Sequence, residues 1–466
     1  SRDDLFCGKR LERRGYIMKC KEEIHMKKLK RTLTLLLAAA MVLALAACSN
    51  SSGGTPATTA PESSTPETTV PEQPQGGIDM TFSIFLDPNS TDDPRCVVLK
   101  EIVDEYNATN QYGNTVTVQS IHWSQYESQV IQATAAGNGP DIVNAFSDQL
   151  MQHIDAGTIQ PMTQFATSFI EENPDYIHTV EKLTQADGEI YSLPWESRVT
   201  VMWYRNDIYD EPPASWDDLL ATASNSDGMN LGFALGLSEG SNGTGLMETF
   251  VPWIRAAGGD IFDAEGKAIF NSDAGVQVVE YIKSLVDAGC MDSSVLNMTY
   301  DDIVDGFKAG SLYAVNAGTQ RAATIKSSSL AQSYSSAPIP GINDGEVAPA
   351  FVAGQTLAIG SQAQDPAMAW DFIQYFYSVE NQKKWISANC MPIRTAVYED
   401  ADVQAMDTYD EMVMWSEYAK TGTMTFYPAD YTELEVKICQ AVQRVVFQGA
   451  DAQSELDQVA EWYNTK

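Results

Sequence analysis

The chain of 466 residues carries 29 Lys and Arg against 63 Asp and Glu, a formal net charge of −34. Positions 1–47 hold 11 of the basic and 5 of the acidic residues, which leaves 18 against 58 and a net of −40 for the remainder. Such a surface repels nucleic acid and anionic membranes, and it disfavours a strongly anionic ligand unless a local basic pocket overcomes the field. The length points to two folded bodies once the ends are set aside.

Residues 1–25 read as upstream translation ahead of a start at Met26. Lys27, Lys28, Lys30 and Arg31 precede an apolar run from Leu33 to Ala47, the pattern of a secretory signal peptide over residues 26–47. The run is short for a bilayer span, and no later stretch reaches the roughly 20 apolar residues that one needs. Leu45-Ala46-Ala47-Cys48 resembles a bacterial lipobox, so cleavage is expected to leave Cys48 lipidated and the protein anchored on the outer face of the cytoplasmic membrane. Residues 48–77 continue in Ser, Thr, Pro, Gly and Glu, too polar to bury a core, and read as a disordered tether. The later cysteines, Cys96, Cys290, Cys390 and Cys439, form no metal-site spacing; disulfides and buried free thiols both remain open.

The folded part is expected from about residue 78. Thr81–Leu86 alternates and meets Asp87-Pro88; a helix follows through Val98, Ile102 and Tyr106; Thr115–Ile121 is a second strand that delivers His122-Trp123. A helix over 124–136 stops at Gly137-Asn138-Gly139-Pro140, and Asp141–Ala145 makes a third strand. This alternation predicts an α/β fold with a mainly parallel sheet, with ligand-facing positions at the strand ends, near Asp87, Trp123 and Asn144. Residues 187–219 read as turn, a strand ending at Pro194, a second strand from Val199 to Tyr204, and a helix capped by Ser215. That segment is the expected joint between the two bodies. Beyond it, helices are expected at 215–223, 246–257 and Ala274–Ala288, strands at 311–315 and 355–360, a helix from Pro366 capped by Asp365, and two C-terminal helices within 431–463.

The segments AAGNGPDIV at 135–143, DGEIYSLPWE at 187–196, MWYRND at 202–207, PPASWDDL at 212–219, FKAGSLYAV at 307–315, APIPG at 337–341 and QGADAQSELDQV at 448–459 stand in a familiar order. Together they resemble the bacterial extracellular solute-binding proteins of carbohydrate ABC transporters, the group containing the maltose-binding proteins. The resemblance implies a two-lobe periplasmic-binding-protein-like fold of type II, with lobe 1 at 78–194 plus 350–390 and lobe 2 at 195–349 plus 391–466. It implies a lipoprotein, monomeric, that captures a carbohydrate and hands it to the permease subunits. A surface glycan receptor uncoupled from transport, or a receptor for a polyol, polyamine or other small solute, is the alternative.

A sugar offers C–H faces to aromatic rings and a hydroxyl rim to amides, carboxylates and Arg. The candidate faces are Trp123, Trp195, Trp253 and Tyr427, with Trp253 foremost. The candidate polar partners are Asp87, Asn144, Glu196, Gln320 and Asp430. Four aromatic faces would suit an oligosaccharide. Arg205 departs from the family pattern, and Arg198 and Arg321 are notable in so acidic a chain; each either meets the ligand or pairs with neighbouring acids. No HExxH, GxSxG or GxxxxGK[ST] motif is present, and His122, His153 and His178 do not cluster, so neither an enzyme nor a metal or other cofactor is expected.

Overall fold

The computed structural model describes residues 77–176, 185–186, 188–224, 231–241, 243–329, 333–422 and 427–466. The signal peptide, Cys48, positions 48–76 of the tether, and Asp187 of the expected turn lie outside them. Strands β1 (Asp79–Ile84), β2 (Thr115–Ser120) and β3 (Ile142–Phe146) alternate with helices Pro94–Thr109 and Tyr126–Ala135. β1 pairs in parallel with both β2 and β3, as right-handed strand–helix–strand units do. Asp93 starts the first helix by accepting from the Arg95 amide, with Pro94 in the first turn where no donor is lost.

β4 (Gln185–Ala186) and β5 (Glu189–Ile190) make a small hairpin, and β6 (Ser192–Tyr204) then runs 13 residues without a break. Pro194 does not end that strand. The register against the partner strand shifts at this point, with Gln355 opposite Glu196 and Thr356 opposite Pro194, so the proline sits at a bulge, where a missing donor is tolerated. β7 (Leu231–Ala234), β8 (Leu312–Gly318), β9 (Ser335–Ala337) and β10 (Val352–Ile359) complete the set. The sheet order is β2-β1-β3-β10-β6-β8-β7, with β9 also on β6.

The expectation of a mainly parallel sheet holds only for β1, β2, β3 and the β7–β8 pair. β10 is antiparallel to both β3 and β6, and β6 is antiparallel to β8 and β9, so the sheet is mixed. The cause is non-local: β10 returns from more than 200 residues downstream of β3 and inserts between strands of the earlier chain. Opposite the bulge, Gly354 passes so close that a Cβ would meet the Glu196 carbonyl oxygen at 2.4 Å.

Sixteen α-helices among the described residues cover the sheet. One large apolar core gathers Val201 and Trp203 of β6, Phe233 of β7, and Val278, Ile282 and Leu285 of helix Asp273–Asp287. Another joins Phe82 of β1 and Leu357 of β10 to Phe372 and Phe376 of helix Pro366–Phe376. A smaller one forms around Ile121, Tyr126 and Leu150. Cys96, Cys290, Cys390 and Cys439 are buried with free thiols.

Candidate ligand-binding cleft

Several chain segments end at one cleft of about 670 Å³, measured with its open mouth. β1 releases Phe85, whose ring lies 5.4 Å from Phe146 at the end of β3; the Arg95 guanidinium covers Phe85 at 5.4 Å. The loop after β2 turns through a short 3-10 helix and presents Trp123. Asp148 and Gln149 follow β3, Gln320 and Arg321 follow β8, and Arg198 and Gln355 project from β6 and β10. Thr244 and Glu248, one turn apart on helix Thr244–Ala256, join Tyr300 at the start of helix Tyr300–Lys308. The carboxyl ends of β1, β2, β3 and β8 thus meet the cleft, as α/β sheets generally arrange.

The charges are paired unevenly. Arg95 Nε lies 3.0 and 3.1 Å from the two Asp93 oxygens and Nη2 2.6 Å from Oδ2. Arg321 donates to Asp301 and lies 4.8 Å over the Tyr300 ring. Arg198 has Glu248 Oε1 at 4.0 Å and, among the described residues, no hydrogen bond; its Nε is buried without a partner. Glu248 Oε2 already accepts from Thr200 Oγ1 at 3.1 Å and Tyr300 OH at 2.9 Å. Burial pushes the Glu248 carboxyl above the usual range against the pull of Arg198, and it raises Asp148 in the same way. Behind Asp148, burial drives Glu127 up to about 8.

A loop-to-helix contact crosses the rim: Trp123 Nε1 donates to Asp301 Oδ2 at 3.1 Å. Asp301 therefore binds both the indole and Arg321. Below the rim, Asn144 accepts from Trp195 Nε1 at 2.9 Å and donates to Gln355 Oε1 at 2.9 Å, which holds the Gln355 amide in place.

Of the nine ligand positions expected from sequence, the structure brings Trp123 and Gln320 to the cleft lining. Asn144 lies one shell deeper and acts on the cleft only through Gln355. Trp195 is a core residue, 4.6 Å from the Trp385 ring and 5.4 Å from Phe376. Glu196, next to it, is 1 % exposed, and its Oε1 has no partner. Trp253 is corrected outright: it is fully buried and packs on Trp216, Phe233 and Tyr281 at 5.6, 6.0 and 5.1 Å, so neither face is open to a ligand. Tyr427 stacks on Tyr431 at 4.0 Å, Asp430 pairs with Lys466 at 2.9 Å, and Asp87 caps its own turn through Asn89. None of these three lines the cleft.

Of the three arginines singled out, Arg198 and Arg321 are in the cleft, whereas Arg205 forks onto Asp207 and covers Tyr313. Residues not anticipated include Phe85, Arg95, Asp148, Glu248, Tyr300 and Gln355. Glu248 alone had a readable signal: a single acid inside the apolar run Gly245–Ile254 requires a buried partner.

Three relatives bear on the fold. A maltose-bound protein of T. maritima superposes with a TM-score of 0.73 at 19 % identity, over 84 % of this chain and 100 % of that one. A maltodextrin-binding protein of Bacillus subtilis is 23 % identical over 66 % of this chain and 73 % of its own length. A probable ABC transporter-binding protein of Deinococcus radiodurans is 26 % identical over 46 % of this chain; the match spans only 54 % of that relative. The fold is therefore that of the two-lobe α/β binding proteins. The family model for bacterial extracellular solute-binding proteins matches residues 101–411, and the chain belongs to that family.

Proposed function

We propose that the protein is the sugar receptor of an ABC importer, tethered outside the cell by lipid on Cys48 and working as a monomer that presents its loaded form to permease subunits. Lobe 1 would comprise 78–194 plus about 350–390, and lobe 2 about 195–349 plus 391–466. The observation that carries the reading is the composition of the cleft: aromatic rings at Phe85, Trp123 and Tyr300 stand beside Arg198, Asp148 and Gln320, each of which has a buried polar atom without a protein partner among the described residues. Rings for C–H faces and a mixed donor–acceptor rim are what a sugar requires. The Trp123–Asp301 bond across the rim supplies a contact that can form on closure, so the loaded and empty proteins would differ in shape. The maltodextrin-binding and maltose-bound relatives lend support of the same kind. The work is capture and presentation; no step of bond chemistry is assigned to the cleft.

Of the four aromatic faces expected from sequence only Trp123 lines the cleft, and Arg95 and Arg321 cover the rings of Phe85 and Tyr300, so a short sugar fits better than the oligosaccharide first expected. A thermal-shift screen against mono- and oligosaccharides, polyols, polyamines and amino acids tests the assignment. A ligand at 100 times its Kd stabilises by about 2.7 kcal/mol, so a sugar should raise the melting point by several degrees and lose that effect in Trp123→Ala. A shift with a polyamine or amino acid alone would retain the fold and remove the carbohydrate assignment.

A further inference from the structure

Residues 77–466 contain seven arginines, and three of them, Arg95, Arg198 and Arg321, line this one cleft, which has no lysine in its lining. In a body of net charge −37 that is a marked concentration of cationic groups. Their roles differ by partner. Arg95 spends its Nε and Nη2 on Asp93, and Arg321 uses Nη2 on Asp301. Arg198 spends nothing: its side chain is 13 % exposed, the nearest carboxylate oxygen is 4.0 Å away, and that acid's other oxygen is held by Thr200 and Tyr300.

We propose that the sugar taken by this cleft carries a carboxylate, as uronic and aldonic acids do, and that Arg198, flanked by Arg321, is the side chain that reads it. The proposal rests on the carbohydrate reading above and narrows its substrate class. A guanidinium presents N–H donors in a planar fork that matches a carboxylate in two parallel bonds, a geometry single hydroxyls do not fill. A nearly buried guanidinium without hydrogen bonds is costly in the empty protein, and an incoming carboxylate removes that cost. Its position suits the task. Arg198 stands on β6 in the middle of the sheet, fixed by β10 on one side and followed by residues paired to β8 on the other, so its base does not drift.

The three acids that act on Arg198, Glu248, Asp148 and Glu196, do not preempt the site. Glu248 is turned to Thr200 and Tyr300, neither Asp148 nor Glu196 comes within ion-pair distance of Arg198, and burial pushes all three carboxyls toward their neutral forms. The overall negative field opposes an anion only at long range. At physiological ionic strength it is screened over about 8 Å, so the local arginines decide binding inside the cleft.

The experiment is isothermal titration of the purified protein with glucuronate and galacturonate, and with their disaccharides, each beside the neutral glucose or galactose counterpart. The expected result is at least tenfold tighter binding of one acid than of its neutral counterpart. Arg198→Gln should abolish that preference, and Arg198→Lys, which keeps the charge but loses the fork, should restore only part of it. Circular dichroism and the melting point monitor folding. If Arg198→Gln does not fold, Arg321→Gln is read instead and should reduce the preference several-fold. Equal or tighter binding of the neutral sugar overturns the carboxylate proposal while leaving the carbohydrate reading intact. Failure of every sugar, acidic and neutral, overturns both.

Discussion

An indole ring serves a sugar only where one of its faces is open, and Trp123 and Trp253 divide on that point. Trp253 is enclosed by Trp216, Phe233 and Tyr281, so truncating it should leave a large cavity. Trp253→Ala is expected to cost about 3–5 kcal/mol of stability, read as a fall in the urea midpoint. Trp123→Ala should change that midpoint little and weaken ligand binding at least tenfold. Equal stability losses in the two variants would show that Trp123 is also a core residue. The sequence offered no means to separate these tryptophans. Both follow a helical or strand-like stretch and precede a turn, and the helix around Trp253 is apolar on nearly every side, so its pattern does not say which face meets solvent. The arginines were more legible. In so acidic a chain each needed an acid nearby, which is what Arg205 found, and Arg198 stands out by finding only one at 4.0 Å.

At the scale of elements, the local signals were largely readable because they depend on near neighbours. Ser215 caps its helix by accepting from the Asp218 amide, and Asp365 accepts from Ala367 and Met368, both as the residue types require. The amphipathic pattern expected from Ala274 to Ala288 is present as helix Asp273–Asp287. What could not be read was the bulge in β6, since Pro194 ends a strand by local rules and survives here only because β10 shifts register opposite it. Gly354 is the partner that makes this possible. Gly354→Ala would drive a methyl to 2.4 Å from the Glu196 carbonyl, and the strands must then separate. The expected loss is about 1–3 kcal/mol, with Gly345→Ala, whose added Cβ meets nothing but whose φ is positive, as a control for backbone strain alone. A neutral outcome at Gly354 would mean that β6 and β10 can part enough to admit a methyl group at no cost.

Over the whole molecule, a buried histidine gives the stability a pH dependence. His153 is fully buried, its Nδ1 lies 2.8 Å from Thr158 Oγ1, and burial lowers its pKa from 6.5 to about 4. The folded protein therefore binds this proton less readily than the unfolded chain. Above pH 6.5 neither state holds it and the stability is complete; as pH falls toward 4 the unfolded state gains the proton first, and stability is lost. A difference of this size corresponds to roughly 3 kcal/mol. The stability of the native protein relative to His153→Gln should thus decline between pH 6.5 and 4 and level off below. Parallel curves for the two proteins across that window would exclude His153 as the source. Glu127, raised to about 8, acts in the opposite sense between pH 4.5 and 8 and is common to both proteins, so it cancels in the comparison.

The place of β10 in the sheet also has a temporal meaning. β3 is complete at Phe146, yet the strand that covers its outer edge begins at Val352. At a synthesis rate of about 5–20 residues per second, roughly 10–40 s pass before that partner has been made. Throughout this interval Ile142, Val143 and Ala145 present an open, apolar strand edge, the kind that invites pairing with another chain. The nascent protein is thus expected to be most prone to aggregation in its first half, and native closure of that half waits on a strand about three-quarters of the way along the sequence.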